Sequence, residues 1–488
     1  MRRTAGLAFA CGLVVAASPE PAQGQDRSSR EEVDERGGPV GSAPSSAAQR
    51  AVWDFVHFTT GAEIVDVIDS FDGDDPFDLN LSVGFQRTLR RSKIVRECRE
   101  PDRCDRAGAR DDGAFAEFID TVDIGRYTQE TYVLDLLLAV GLFRDLHFYT
   151  RWPLILSDTR SLGYLEDSPS DAYRAAVGQM VDNLFTIPFD SPERSGLDYF
   201  AVGISWAPFN QQRDPTDPNW VLNFEGRFAV GEVLKAAGSG QEGGISRRLN
   251  EIRFGMFLSK RYRWIEPYSG ITVMAGIPDY SAPYHFDAPV SGQINTMPPF
   301  QGSLLFGMEI VPWENIERMQ KFSIGLEIGG TYYSEGRVFS ELFDALGTST
   351  DARLHYEGSP RPDGRFGPCT PDGSTCWSDS YGRDPLYRFT GMTDVENYAS
   401  VMGRLTLLIQ AAQYIKFYAG LGFGHDTEHS VTFTDECNAG EMSGPQDCQI
   451  GGDAYNPMTR EVIDAPGNRF RVQETTIFDV FAGLTAMF

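Results

Sequence analysis

The chain has 488 residues and a formal net charge of −26. Contacts to nucleic-acid phosphates need a basic surface, so nucleic acid is excluded as a partner. Acidity of this size bears on solubility and self-repulsion, not on fold.

Arg2 and Arg3 precede an apolar run from Leu7 to Ala17, and the small-residue stretch "PAQGQ" follows. That is a charged region, a short apolar region and a cleavage site after Gly24, so residues 1–24 read as a signal peptide. The run is too short to cross a bilayer as a helix. Cys11 lies inside it without a lipoprotein box, which argues for export and not for a lipid anchor. Residues 25–50 are rich in Ser, Glu, Arg, Gly and Pro and read as a disordered lead-in. Residues 51–75 form an N-terminal segment with two apolar clusters, "VWDFVHF" and "AEIVDVIDSF". The neighbouring Asp69, Asp72, Asp74, Asp75 and Asp78 offer oxygens, but not at the spacing of a calcium loop, and read as solvated.

From residue 76 onward the pattern changes to alternation. "DLNLSVGFQ" places Leu79, Leu81, Val83 and Phe85 on one face and Asn80, Ser82 and Gln86 on the other, which is the period of a strand. "YVLDLLLAVGL" and "LHFYTRWPLIL" follow, separated only by "FRD", a turn that permits only an antiparallel hairpin. Four further couples have the same form. "YFAVGISWAPF" precedes "NWVLNFEGRFAVG", and "EIRFGMFLS" precedes "WIEPYSGITVMAGI". "GSLLFGMEIV" precedes "KFSIGLEIGGTYY", and "SVMGRLTLLIQ" precedes "YIKFYAGLGFG". The last strand, "TTIFDVFAGLTAMF", sets Phe478, Val480, Ala482, Leu484, Ala486 and Phe488 on one face, with Thr475, Asp479, Gly483 and Thr485 on the other.

Twelve strands result, and their connections alternate long and short. The longest connection covers about 335–397. Trp206, Trp220, Trp264 and Trp313 all stand near short turns. Six cysteines outside the signal form three close couples: Cys98 with Cys104, Cys369 with Cys376, and Cys437 with Cys448. Each couple lies in a long connection. Their spacings match no common zinc site and no histidine accompanies them, so disulfides are the expectation and no metal or cofactor is. The long segment "SDAYRAAVGQMVDNLF" has helical spacing, with Tyr173, Val177, Met180, Val181 and Leu184 three or four apart. It either folds into a mouth or covers a small core of its own loop.

No window carries the ~20 unbroken apolar residues of a membrane helix, but strands that alternate escape such a test. The signal segment, the sorted connections and the final strand ending in Phe488 resemble bacterial outer-membrane β-barrel proteins. The resemblance covers about 76–488 and names no subfamily. It implies a closed antiparallel transmembrane barrel of about twelve strands, with short periplasmic turns and long extracellular loops. It implies contact with outer-membrane lipid, and it places residues 51–75 in the periplasm. In that family a terminal aromatic with apolar residues at alternate positions is read by the barrel assembly machinery; Val480, Leu484 and Phe488 match it here.

With apolar residues turned to lipid, the opposite face becomes a lumen. Asp135, His147, Tyr149, Arg151, Glu225, Arg227, Glu251, Arg253 and Glu266 fall on it. So do Glu309, Glu327, Arg404, Lys416, Tyr418 and Asp479. A charge facing lipid near the midplane costs about 2–4 kcal/mol, which constrains this assignment. The set is read either as ion pairs filling the interior or as a pore lining of both signs. Carboxylates lead, so a conducting pore is expected to prefer cations mildly.

Two features invite an enzyme reading. His425 and His429 are four apart in "HDTEH", but on a strand that separation spans about 13 Å and cannot serve one metal. A lipid hydrolase needs a Ser–His pair on the outer wall, and His147 points inward with no matching serine in the sequence pattern. In "GLGFGH" the lumen positions Gly420, Gly422 and Gly424 are small, as where a plug or loop packs inside. The role expected is passive passage of small solutes across the outer membrane. The alternatives are a non-conducting surface barrel whose loops bind a partner and, third, a barrel-embedded hydrolase.

Overall fold

The computed structural model describes residues 78–98, 120–143, 145–211, 214–279, 284, 297–351, 353–354, 389–412, 414–435 and 459–488. The signal segment, the lead-in, residues 51–75 and five of the paired cysteines (Cys104, Cys369, Cys376, Cys437 and Cys448) lie outside the described residues.

Twelve long strands build one closed antiparallel sheet. They are β1 (Leu79–Cys98), β2 (Asp120–Phe143), β3 (Leu146–Gly163), β4 (Tyr199–Phe209), β5 (Asn219–Ala229) and β6 (Leu249–Ser259). The second half comprises β7 (Ile265–Pro278), β8 (Gln301–Asn315), β9 (Gln320–Tyr333), β10 (Tyr398–Ala412), β11 (Ile415–Asp426) and β12 (Phe470–Met487). Each pairs with its neighbours in sequence, and β12 returns to β1 in register from Asn80↔Met487 to Arg96↔Phe470. The seam is sealed at one end by backbone hydrogen bonds between Leu79 and Phe488, at 2.8 and 3.0 Å. Among the described residues the twelve strands leave no sheet edge for lipid to leave unsatisfied.

The expected alternation is what the side chains do. Leu81 and Phe85 on β1, Ile204 on β4, Phe254 on β6, Phe306 on β8, Leu405 on β10, Phe423 on β11 and Phe478 on β12 are all large, apolar and exposed. An apolar surface running around a whole molecule is foreign to water-soluble proteins; here it is the lipid-facing belt. Trp206, Trp264 and Trp313 are exposed at the end with short connections, and Trp220 stacks on Phe209 with ring centroids 5.7 Å apart. Indole rings at that height suit the membrane interface.

β1 to β3 run well past the alternating stretches that announce them. Above Phe85 the outward positions of β1 are Arg87, Leu89, Arg91 and Lys93, so the outer face turns mainly basic while strand pairing continues to Cys98. The outer wall has left lipid for water, and hydrogen bonding to β2 no longer needs an apolar outer face. The helix expected after β3 is present as α1 (Asp171–Met180), capped by the Ser170 side chain accepting from the Tyr173 N–H at 3.2 Å.

Contrary to the reading of a loop core separate from the barrel, α1 joins a shared one. Val177, Val181 and Leu184 pack in one apolar cluster with Leu342, Leu346, Phe389, Phe433 and Ile463 from other long connections. The same cluster takes Ile94, Tyr127, Leu162, Tyr333, Tyr398 and Val472 from six different barrel strands. Loop residues and wall residues share a core only if the loops sit across the mouth, so the extracellular end is capped.

Inside, bulky rings lie over glycines directly across the ladder. Tyr149 covers Gly203, Tyr268 covers Gly307, Tyr418 covers Gly483 and Phe481 covers Gly420. This corrects the reason expected for the small residues at 420–424: Gly420 makes room for a ring from the neighbouring strand, not for a plug. A Cβ on Gly307 would stand 2.0 Å from the Tyr268 ring. Gly307→Val therefore forces the ring off its seat and is expected to cost about 1–3 kcal/mol. A lower temperature for loss of the compact form on unboiled denaturing gels checks this.

Candidate functional site

Charge is sorted inside this barrel by cross-strand register. Glu225 on β5 stands directly opposite Arg253 on β6, and Arg227 opposite Glu251. On the far wall Glu327 on β9 stands opposite Arg404 on β10. Opposite charges at facing positions attract across the ladder. The strand period turns them all to the same side, away from lipid.

On the β2–β6 wall these groups form one network. Arg151 Nε donates to Asp135 Oδ2 at 2.7 Å. Glu225 accepts from the Tyr149 hydroxyl at 2.8 Å and from Arg227 Nε at 2.8 Å. Arg227 Nη1 reaches Glu251 at 3.1 Å and stacks over the Tyr199 ring at 5.0 Å. Arg247, at the root of the connection before β6, donates to Asp198 at 2.8 Å and lies 3.5 Å from Glu251. All of these ions are buried.

The opposite wall is looser. Arg404 lies 3.9 Å from Glu327 and 5.8 Å from the Phe481 ring. The Tyr268 hydroxyl donates to Glu327 at 3.4 Å. Asp479 accepts from the Thr88 hydroxyl. Nearer the short turns, Glu266 and Glu309 face each other across β7 and β8, a like-charge pair. Lys321 Nζ lies 3.0 Å from Glu309, and Ser259 donates to Glu266 at 2.7 Å. Lys416 faces inward opposite Thr485. His147 also faces inward, beside Tyr149 with ring centroids 5.9 Å apart.

Between the two walls a cavity of about 70 Å³ remains, lined among others by Arg227, Arg253, Arg404, Glu327, Phe257 and Met402. Above it the mouth is held shut by further buried ions. Glu341, in the connection after β9, receives Arg90 of β1 at 2.7 Å. Asp344 on the short helix α2 (Phe343–Gly347) takes two hydrogen bonds from Arg194, at 2.6 and 3.0 Å, and one from the Ala237 N–H at 3.1 Å. The cap is braced on both sides.

Of the residues that the pattern turns inward, Asp135, His147, Tyr149, Arg151, Glu225, Arg227, Glu251, Arg253, Glu266, Glu309, Tyr418 and Asp479 are buried, whereas Glu327, Arg404 and Lys416 are half-buried; the ion pairs add Arg90, Arg194, Asp198, Arg247, Lys321, Glu341 and Asp344. Lys321 alone carried a signal, since it precedes "FSIGLEIGG" at an even spacing from Glu327, on the same strand face. Arg90 lies beyond the apolar alternation, and the Arg194–Asp344 pair joins residues 150 apart from two long connections.

A serine does stand opposite His147, which corrects one expectation: Ser205 on β4 is its register partner. Its hydroxyl accepts from Asn223 at 2.8 Å inside the lumen. The outer wall, where a lipid hydrolase needs its nucleophile, is not where this pair lies. His425 is exposed, whereas His429 is buried against the Tyr398 ring at 4.5 Å. No cluster of metal-ligating residues occurs among the described residues.

Closed antiparallel sheet, apolar outer belt, tryptophans near the short turns and ionic interior together define a closed antiparallel transmembrane β-barrel. No family model and no curated protein matches the chain. Among solved structures it is similar to an outer membrane channel from Pseudomonas putida F1, at 9% identity and a TM-score of 0.35 over 84% of this chain and 95% of that one. A Pseudomonas aeruginosa FadL homologue matches at 8% identity and a TM-score of 0.31, over 88% and 93%. The outer membrane protease OmpT from Escherichia coli matches at 8% identity and a TM-score of 0.25, over 84% and 97%.

Breaking a buried ion pair costs about 3–5 kcal/mol, because the remaining charge is stranded; replacing both partners by apolar groups costs far less. Arg151→Ala is thus expected to lower stability to urea by that amount. The double change Arg151→Met with Asp135→Leu should recover most of it. Unfolding curves from bilayer vesicles distinguish the two.

Proposed function

We propose that this protein is an outer-membrane channel that passes small solutes through the barrel and rests with its outer mouth closed. The observation that carries this reading is the contrast between the two faces of each strand. Outside is a continuous apolar belt; inside are charged groups, hydroxyls and a cavity of about 70 Å³. A barrel serving only as an anchor is held as well or better by an apolar filling, because buried ion pairs seldom out-compete hydrophobic replacements. An interior kept ionic from β2 round to β12 suits water and polar solutes. Passage in this reading requires the segment from Gly336 to Thr348 to leave the mouth, and the pairs Arg90–Glu341 and Arg194–Asp344 are its latches.

Further expectations belong to this reading. Residues 1–24 direct export, and Val480, Leu484 and Phe488 present the closing strand to the barrel assembly machinery. Cys98 with Cys104, Cys369 with Cys376 and Cys437 with Cys448 staple the extracellular connections. A second reading is favoured by the shared apolar core of the loops: a barrel that stays shut and displays those loops to a partner.

Currents across planar bilayers separate the two readings. The channel reading expects brief, small openings from the wild-type chain. In Asp344→Ala it expects open time at least about tenfold longer, a shift of about 1.4 kcal/mol that the loss of a buried pair exceeds. Silence from both proteins, shown to be folded, favours the surface barrel.

A further inference from the structure

The "HDTEH" stretch places its two histidines in different surroundings, and the second belongs to the closed mouth. His429 opens a short strand, His429–Thr432, that pairs with β12 at His429↔Val472 and Val431↔Phe470. On its other side this strand meets Thr393–Val395, which in turn meets Gly336–Val338, the root of the capping segment. Hydrogen bonding therefore runs from the closing strand of the barrel to the cap by way of the strand that His429 begins.

The imidazole is buried and stacked on the Tyr398 ring at 4.5 Å, and Tyr398 stacks on Tyr333 at 4.7 Å. Nδ1 lies 3.2 Å from the Thr427 carbonyl, which can only accept, so the neutral ring carries its proton on Nδ1. Nε2 is buried as well and has no hydrogen-bond partner among the described residues. Of the charges that act on the ring, the strongest is Glu341 on the cap, followed by Arg90 of β1 and, more weakly, Asp426 at the end of β11. Arg90 serves both acids, at 2.7 and 3.3 Å. Glu396 and Glu428 flank the strand as exposed residues: Glu396 accepts from the Ser430 N–H at 3.4 Å, and Glu428 is held by Arg471 at 3.2 Å.

We propose that His429 is a proton-operated release for the cap: the neutral imidazole lets the segment from Gly336 to Thr348 rest across the mouth, and acid at the outer face frees it. A proton on this ring creates a second N–H, at Nε2. In the closed arrangement that N–H has no acceptor and the charge is shut away from water, which disfavours it. Two carboxylates against one guanidinium pull the other way, but burial prevails and holds the His429 pKa below the ordinary 6.5. Once the cap leaves, the ring meets water and takes up its proton near that ordinary value. The closed state thus binds the proton less well than the released one. Its advantage is complete above about pH 6.5 and is lost as pH falls below it. What then passes rests on the channel reading, whereas the release concerns the cap alone.

The test compares the full mature chain at about pH 7.5 and about pH 5.5, by hydrogen exchange in detergent and by currents in planar bilayers. Exchange of the amides from 336 to 348, corrected for the intrinsic effect of pH, is expected to rise several-fold in acid. About tenfold is the ceiling for one imidazole that titrates near 6.5 when released. Open probability should rise by the same factor. His429→Gln, which keeps a polar side chain that does not titrate, should abolish both responses, and His425→Gln at the exposed histidine should leave them. Wild-type exchange that does not rise in acid overturns the release, whatever the variants do. So does a folded His429→Gln chain that responds like the wild type, since the buried carboxylates then carry the response. Equal conductance at the two pH values keeps the channel and overturns the release. Acid-dependent exchange that His429→Gln removes, in a chain silent at both pH values, upholds the release and overturns the channel.

Discussion

Everything in this structure follows from the lack of water in the bilayer core. A backbone N–H or C=O left unpaired there costs several kcal/mol, so a spanning sheet must close on itself. Closure is accomplished where β12 meets β1, along a ladder from Asn80↔Met487 to Arg96↔Phe470. Once the sheet is closed, its two faces meet different solvents, and the strand period of two sorts every side chain between them. The exposed Phe478 and Val480 and the buried Asp479 between them are consequences of that one constraint.

Closure also decides what can be done with charge. Ions that face inward cannot reach bulk water easily and must find one another, and cross-strand register is the means. Glu225 with Arg253, Arg227 with Glu251 and Glu327 with Arg404 face each other directly across the ladder. Rings and glycines obey the same geometry: each of Tyr149, Tyr268 and Tyr418 occupies the space that a facing glycine leaves empty. The interior is thus nearly filled. The space that remains lies between the two walls and is lined by residues of both.

Much of this was legible in the sequence because the physics is local. Alternation over about ten residues identifies a lipid-spanning strand, and the lengths of the connections sort the two ends. The strand count, the inward set from Asp135 to Asp479 and the tryptophans at the short turns all follow from those two signals. The upper halves of β1 to β3 were hidden because alternation stops where lipid stops. The cap was hidden for another reason. Arg194 meets Asp344 and Arg90 meets Glu341 only after separate loops have converged, and no spacing in the chain records it.

The central claim, that a closed strand ladder presents alternate residues to lipid and to an ionic interior, is tested most directly on the closing strand. A nitroxide placed singly at positions 478 to 485 of the chain in bilayers reports collision with oxygen, which dissolves in lipid, and with a water-soluble nickel chelate. The account predicts high oxygen access at 478, 480, 482 and 484 and low access at 479, 481, 483 and 485, a period of two that matches the exposure of Phe478, Val480 and Leu484. Uniform access along the strand, or a period nearer 3.6, would contradict it.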